Sequence, residues 1–213
     1  KVTSAPFTSK PPTQCGSCGD LVITGQNFGP KIQGDVAATY RLTSATPFAA
    51  TGCKVTTAHN VITCNTVAGA GSGLNFSVTT TGRASNEVPG DAAAAYQAPV
   101  IAAGGIQLNT KTGKINQPFA PLTGASAGLA TQGGDQIVIT GTNFGPVRSP
   151  QFSPQIMYRP HGNGKLHAAT GCQVTVADTE ITCLTDVGIG TNLTFSVVIA
   201  GQASAYQACA NAA

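Results

Sequence analysis

The sequence reads ATGCKVTTAHNVITC from Ala50 to Cys64 and ATGCQVTVADTEITC from Ala169 to Cys183. In both stretches, β-branched residues lie on either side of a short polar turn, and a cysteine stands near each end. Two short runs of this kind around a turn predict a β-hairpin. A stretch that recurs so closely marks a duplicated structural unit, so further blocks are expected at a similar spacing.

Three more blocks recur in the same order. They are GDLVITGQNFGP from Gly19 and GDQIVITGTNFGP from Gly134, LNFSV from Leu74 and LTFSV from Leu193, and AYQA from Ala95 and from Ala205. Copies are 119 residues apart in the middle of the repeat but 110 apart at AYQA, which implies a loop-sized insertion near residues 86–94. We predict two tandem domains, residues 1–99 and 100–213, with 1–14 as an extended N-terminal segment and 100–116 as an inter-repeat hairpin or linker.

The apolar residues within each copy recur with the period of a β-strand. Leu74, Phe76 and Val78 alternate with Asn75 and Ser77, and the LTFSV block of the second copy alternates in the same way. Such alternation is typical of a strand with one buried face and one wet face. Because similar short runs lie between Gly, Asn and Pro residues, we predict an all-β fold of two tandem immunoglobulin-like β-sandwich domains.

The order of the blocks resembles a known domain family. An ITG-x-NFGP strand and turn, a cysteine-bearing hairpin, a Gly-rich turn, an L-x-FSV strand and a closing Tyr are similar to the IPT/TIG domain. That family has an immunoglobulin-like fold and occurs in plexin-type receptors, fibrocystin-like surface proteins and some transcription factors. The resemblance covers nearly all of both copies. It implies the fold of both domains but no single function, because such folds serve many roles.

Four of the seven cysteines occupy matching positions in the two copies. A hairpin brings its ends within the Cα separation of about 4.4–6.8 Å that a disulfide needs. Two isolated cysteines per domain do not supply the four ligands of a structural metal site, whereas a pair of free buried thiols stays open on the residues alone. Extracellular IPT domains carry a matching pair, so the resemblance implies disulfides Cys53–Cys64 and Cys172–Cys183. Persisting disulfides imply an oxidising compartment.

The other three cysteines are Cys15, Cys18 and Cys209. Cys15 and Cys18 have the CxxC spacing of a redox motif, but they precede a predicted strand and therefore lack the helix N-terminus that lowers a thiol pKa. We interpret them as a structural bridge or cap rather than an oxidoreductase site. An odd cysteine suggests a disulfide to another chain or to residues outside this sequence. All three are candidates for a further or intermolecular disulfide.

Two N-x-S/T sequons are present, at Asn75 and Asn192. Both asparagines are predicted to lie on the outward face of the strand that carries the L-x-FSV block, so both are expected to carry covalently attached glycan in a eukaryotic source.

The composition predicts a surface rich in hydroxyl groups, because the chain has forty Ser and Thr residues and only 9% charged residues. Soluble globular chains have about 25% charged residues.

Several function classes are disfavoured by the residues. The net charge is only +3 and no run of Lys or Arg occurs, so no nucleic-acid partner is expected. The apolar stretches are too short for direct insertion into a membrane. The eight acidic residues are scattered without a close pair for glycosidase chemistry, and His161 and His167 lack a third metal ligand. We therefore predict a protein that is not an enzyme, with no catalytic residue, no metal and no cofactor.

The remaining evidence favours an extracellular structural or adhesion protein, secreted or at the cell surface. The segment from Pro99 to Gly113 leads into the second copy and has no counterpart before the first, so we expect a repeating subunit that forms a head-to-tail homo-oligomer, for example a fibril. The alternative is a ligand- or carbohydrate-binding ectodomain of a larger receptor. An aromatic platform would favour that alternative, but the chain has no Trp and only four Tyr.

Overall fold

A computed structural model describes residues 2–3, 20–31, 35–43, 45–92, 94–109, 120–121, 129–160, 164–190 and 192–208. The chain divides into two compact units, Lys1–Gln97 and Ala98–Ala213. Each unit is built from antiparallel strands, and the described ranges contain no α-helix. The prediction of an all-β fold of immunoglobulin-like sandwiches is confirmed.

The first unit consists of two sheets. Its described strands are β1 (Val2–Thr3), β2 (Asp20–Thr24), β3 (Val36–Arg41), β4 (Phe48–Ala49), β5 (Thr51–Thr57), β6 (Val61–Asn65), β7 (Asn75–Thr80), β8 (Arg83–Ala84) and β9 (Val88–Pro89). One sheet has the order β1-β2-β6-β5, and the other has the order β4-β3-β7-β8, with β9 also paired to β7. The chain crosses between the sheets after β2, β4 and β6, as in a β-sandwich.

Alternation along the strands fills the core of this sandwich. Leu21 and Ile23 of β2 are buried, and the residues between and beside them are more exposed. Phe76 and Val78 of β7 are buried on the opposite sheet, and they belong to the same apolar cluster as Ile62 of β6. Full burial of such a side chain contributes about 1.5–3 kcal/mol, so one face of each sheet is committed to this core.

The second unit has the same arrangement with one more strand. Its described strands are β10 (Val100–Asn109), β11 (Ala120–Pro121), β12 (Gln136–Thr142), β13 (Gln155–Pro160), β14 (His167–Ala168), β15 (Thr170–Val176), β16 (Glu180–Leu184), β17 (Leu193–Ile199), β18 (Gln202–Ala203) and β19 (Gln207–Ala208). One sheet has the order β11-β10-β12-β16-β15. The other has the order β14-β13-β17-β18, with β19 also paired to β17. A 3-10 turn at Pro150–Phe152 precedes β13.

The first ten residues of the segment 100–116, which was predicted to be an inter-repeat hairpin or linker, form strand β10. This strand pairs with β12 and buries Ile101, Ile106 and Leu108 in the second unit. Its register shifts between Ile101 and Ile106, where Gly104 has a φ of 68°. This irregularity breaks the two-residue alternation along the strand. Residues 110–116 lie outside the described ranges.

The N-terminal segment 1–14 is described only at residues 2 and 3. These form β1, in which Val2 lies opposite Ile23 of β2 within the same unit. In the second unit β10 takes the corresponding place, with Ile106 opposite Ile139 of β12. The outer edge of β2 is therefore paired within its own chain, by residues 2 and 3.

Candidate functional site

Each unit contains a disulfide across one hairpin. Cys53–Cys64 joins β5 to β6 and Cys172–Cys183 joins β15 to β16, with Cα separations of 4.1 Å and 4.2 Å. The glycines before the outer cysteines, Gly52 and Gly171, have φ values of 59° and 61°, which glycine adopts without the strain of a Cβ. The hairpin register shifts at the same place. A glycine bulge therefore accompanies each bridge.

The remaining cysteine candidates, Cys15, Cys18 and Cys209, lie outside the described residues. Their pairing stays a prediction. His161 also lies outside the described part of the chain, whereas His167 is buried on β14.

The two sequons have different surroundings. Asn75 is the first residue of β7 and is half-buried, opposite Arg41 of β3. Asn192 is exposed and precedes β17, with a φ of 51°. The expectation that both lie on the same strand is wrong for Asn192, because a left-handed turn residue cannot continue the extended backbone of β17. The phenylalanines that follow these sites, Phe76 and Phe195, are both buried.

The core of the first unit closes around a pair of tyrosines. The hydroxyl oxygens of Tyr40 and Tyr96 lie 2.9 Å apart. The Tyr40 hydroxyl also accepts a hydrogen bond of 2.9 Å from the backbone N–H of Val67, while the Tyr96 hydroxyl donates to the carbonyl of Val67. Both rings are 1% exposed. Burial raises the pKa of the Tyr40 and Tyr96 phenols above the usual value, so both hydroxyls stay protonated and can donate.

Tyr96 reaches this position on a segment that covers one end of the core. Its backbone N–H donates to the carbonyl of Gly71 at 2.9 Å. A Cβ on Gly69 would lie 2.7 Å from the Tyr96 ring, so the absence of a side chain there makes room for the ring. The Phe48 ring stands edge-on, with its centroid 6.4 Å from that of Tyr96. The aromatic ring, the glycines and the hydroxyl groups form one packed assembly.

The second unit has a counterpart of Tyr40, but no tyrosine in the position of Tyr96 among its described residues. Tyr158 of β13 lies opposite Phe195 of β17, as Tyr40 lies opposite Phe76. The Tyr158 hydroxyl accepts a hydrogen bond of 2.8 Å from the N–H of Asp186 and donates one of 3.0 Å to its carbonyl. Burial raises the pKa of the Tyr158 phenol, and the Asp186 charge also raises it against the opposing effect of the backbone hydrogen bond.

Beside Tyr158, the second unit has a cleft of about 100 Å³. Its described lining comprises Leu129, Ala130, Thr131, Tyr158, His167, Asp186, Gly188, Ile189, Gly190 and Leu193. From Asp186 onward these residues correspond, 119 positions later, to the residues that surround Tyr96. A cavity of about 150 Å³ can bind benzene, so this cleft is smaller than a cavity known to hold one ring.

Several residues that line the cleft are more exposed than their counterparts near Tyr96. Ala70 is 3% exposed, whereas Ile189 at the matching position is 81% exposed. Gly71 and Leu74 are buried, but their counterparts Gly190 and Leu193 are more exposed. A large apolar side chain next to an open cleft is typical of a surface that contacts another group.

A histidine replaces an aromatic wall of the cleft. Phe48 lies opposite Tyr40 in the first unit, and His167 lies opposite Tyr158 in the second. The imidazole stacks on the Tyr158 ring with centroids 5.4 Å apart. Its Nδ1 atom lies 3.7 Å from Oδ2 of Asp186 and has no hydrogen-bond partner among the described residues. The same ring lies over Gly188, where an added Cβ would be 2.8 Å from its Cε1 atom, so His167 covers the glycine that corresponds to Gly69.

Tyr206 does not fill this cleft, although the AYQA blocks pair Tyr206 with Tyr96. Tyr206 is 44% exposed and lies under the guanidinium of Arg159, 4.6 Å from the ring centroid. Its structural counterpart is Glu87, which forms an ion pair with Arg41 on the equivalent edge. Matching AYQA by sequence is therefore wrong as a structural alignment. The connection before Tyr206 is nine residues shorter than that before Tyr96, so identical AYQA sequences occupy different positions in the two folded units.

Sequence reasoning did not identify the cleft. Its walls come from separate strands and one Gly-rich turn, and none of them forms a known motif. Two signals were present. Phe48 is replaced by His167 at a matching position, and the repeat spacing drops before the last block.

No group of three or more His, Cys, Asp or Glu side chains in the described ranges is placed to hold a metal ion. No described helix is long and apolar enough to cross a membrane.

Comparisons with known proteins do not identify a family for this chain. No family model and no curated protein matches the chain. One similar solved structure is SGBP-B from a complex xyloglucan utilization locus in Bacteroides uniformis, at 15% identity and a TM-score of 0.29, over 96% of this chain and 46% of that one. Another is the full extracellular region of plexin A4, at 9% identity and a TM-score of 0.25, over 99% of this chain and 26% of that one. The chain thus spans less than half the length of either.

Proposed function

We propose that this chain is a non-enzymatic structural or adhesion protein of the extracellular space. In this proposal two IPT/TIG-type domains form a repeating subunit of a cell-surface or fibril-like glycoprotein assembly. Copies associate head to tail, and glycans are attached at Asn75 and Asn192.

The observation that carries the proposal is the disulfide in each unit. Both bridges join neighbouring strands of a hairpin at a glycine bulge. Disulfides persist in secreted and cell-surface proteins and are rare where glutathione keeps thiols reduced. A protein with one bridge in each of its domains is therefore suited to an oxidising environment in which the domains must resist unfolding.

The hydrogen-bonding of the ionisable core residues supports a structural role. Strongly perturbed pKa values often mark catalytic residues, but structural networks produce them too. In the first unit, the raised pKa of the Tyr40 and Tyr96 phenols accompanies hydrogen bonds that tie β3 to the turn at Val67 and to the segment that carries Tyr96. These hydroxyls join parts of the sandwich to each other.

Electron microscopy of the native material tests this function. We expect rods or fibres in which the subunits repeat. A monodisperse monomer at high concentration, together with specific binding on a glycan array, would instead support the carbohydrate-binding alternative and contradict the proposed assembly.

A further inference from the structure

One loop of the second unit exposes large apolar side chains. Val187 and Ile189 are 64% and 81% exposed, and the loop from 187 to 192 contains no charged residue. Single exposed aliphatic side chains are ordinary on a protein surface, whereas two in one short loop form a patch that favours contact with another group. His167 already fills the space against Gly188, between them. Their cover is therefore a group on the outer side of the loop.

The first unit has smaller side chains in the matching loop and covers them with its own chain. Ala70 stands at the position of Ile189 and is 3% exposed. The segment that follows the last described strand of the first unit lies over this loop, since the backbone N–H of Tyr96 donates to the carbonyl of Gly71 at 2.9 Å. The second unit has a shorter connection at this place, and it has larger apolar side chains that are left exposed.

The two loops also differ at the position where each joins its next strand. Gly73 in the first unit and Asn192 in the second both have a left-handed backbone, with φ values of 68° and 51°. Asparagine is one of the few other residues that tolerate this conformation, and here it begins the sequon Asn192-Leu193-Thr194. Gly73 begins no sequon. Large exposed aliphatic side chains and a glycosylation sequon therefore occur together in this loop of one copy, and neither occurs in the same loop of the other.

A glycan on Asn192 starts close to the exposed side chains. Ile189 is three residues away, so the two Cα atoms are at most about 11 Å apart. Gly190 and Leu193, on either side of Asn192 in the sequence, line the same cleft as Ile189. Asn192 is itself exposed. Because the asparagine side chain and the attached sugar add to the reach, the first sugar residues are within range of the patch.

We propose that the glycan on Asn192 packs over Val187 and Ile189 and covers the loop that a segment of the chain covers in the first unit. The covering group is the N-acetylglucosamine that begins an N-linked glycan. The C–H groups of its ring face and its acetyl methyl group bury aliphatic surface, while its hydroxyl groups stay in water. The inference rests on the proposed function in one respect, because it needs the glycan at Asn192. It goes further by giving that glycan a structural role in its own chain.

Nuclear Overhauser effects test the contact directly. The full chain is secreted from yeast with ¹³C-labelled isoleucine methyl groups, and glycopeptide mass spectrometry establishes that Asn192 carries glycan. We expect cross-peaks between the Ile189 methyl groups and protons of the first sugar, and these should persist when an endoglycosidase trims the glycan to that sugar. A glycan on Asn192 without such cross-peaks overturns the inference and leaves the proposed function standing. Native material without glycan on Asn192 overturns the inference together with that part of the proposed function.

A double-substitution cycle tests whether the contact stabilises the second unit. Asn192→Asp removes the glycan and keeps a residue that tolerates the left-handed backbone, while Ile189→Ser removes a covered apolar side chain. Hydrogen exchange of the β17 amides reports the opening of this unit. We expect Asn192→Asp to raise the opening equilibrium constant at least about fivefold when Ile189 is present, and less than about twofold in the Ile189→Ser background. Equal effects in both backgrounds overturn the inference, because the asparagine would then act without the side chain.

The sequon of the first unit supplies the matched control. Asn75 is the first residue of β7, and Asn75→Asp removes a glycan of the same kind, so it should leave the Ile189 cross-peaks and the exchange of β17 unchanged. The competing cover is a second copy of the chain. If Ile189→Ser weakens self-association of the glycosylated protein at least about tenfold, a partner chain covers this loop and the inference is overturned.

Discussion

The hydroxyl oxygens of Tyr40 and Tyr96 lie 2.9 Å apart in the core of the first unit. Tyr40 comes from the middle of the sandwich, whereas Tyr96 comes from the segment that follows the last described strand of that unit. Their hydrogen bond therefore attaches this segment to the core. In the second unit, Tyr158 has no tyrosine partner among the described residues that line the cleft beside it.

Removing the Tyr96 hydroxyl is expected to destabilise the first unit. In Tyr96→Phe the ring still fills its space, but the Tyr40 hydroxyl and the Val67 carbonyl lose a buried partner. Such a loss costs roughly 1–3 kcal/mol, measured as the free energy of unfolding in urea. Tyr206→Phe changes a partly exposed hydroxyl and should cost under about 0.5 kcal/mol. Equal effects of the two substitutions would contradict the role given to the Tyr96 hydroxyl.

Stability is expected to fall in alkaline solution. Burial raises the pKa of the phenols of Tyr40, Tyr96 and Tyr158 in the folded protein, whereas the unfolded value is about 10. The folded state therefore holds these protons more tightly, so their contribution is fully present below pH 10 and is lost as the pH rises further. Urea unfolding followed between pH 8 and 11 checks this, with a smaller decline expected for Tyr96→Phe. A flat profile would refute it.

The hairpin disulfides are expected to contribute separately to the two units. Replacing both Cys53 and Cys64 by Ala removes a constraint on a short loop and should cost roughly 2–3 kcal/mol. The matched double substitution of Cys172 and Cys183 should have a similar cost in the second unit. Peptide mapping without reduction checks both bridges first. If all four cysteines react with an alkylating agent in the native protein, the bridges and the extracellular assignment are both wrong.

Glycan is expected at both sequons when the chain is secreted from eukaryotic cells. Asn192 is exposed in a turn with a φ of 51°, so a glycan there displaces no packed side chain. Asn192→Asp keeps a residue that tolerates this backbone conformation and should remove one glycan mass by intact mass spectrometry. Asn75→Asp should remove a second. Thr194 completes one sequon but is 8% exposed, so substituting it would confuse glycan loss with core damage. An unchanged mass in either variant would show that its site is unmodified.

Local patterns in the sequence were sufficient for the sandwich and its main strands. The alternation of Leu74, Phe76 and Val78 requires a strand with one buried face, and the structure buries all three. The same reasoning predicted residues 100–116 only as a hairpin or linker, because a glycine irregularity interrupts the alternation of β10. It also placed Asn192 on a strand, although the left-handed backbone at this residue ends the extended conformation before β17 begins.

The sequence by itself determined the all-β class, the duplicated motifs and the cysteine spacing within each hairpin, because these depend on neighbouring residues and on turns of a few residues. Only the tertiary structure decided which tyrosine enters a core. Tyr96 and Tyr206 stand in identical AYQA blocks, yet one is buried and the other is partly exposed. The physical reason is the length of the connection before the tyrosine, which is nine residues longer in the first unit than in the second and carries Tyr96 to the end of the core.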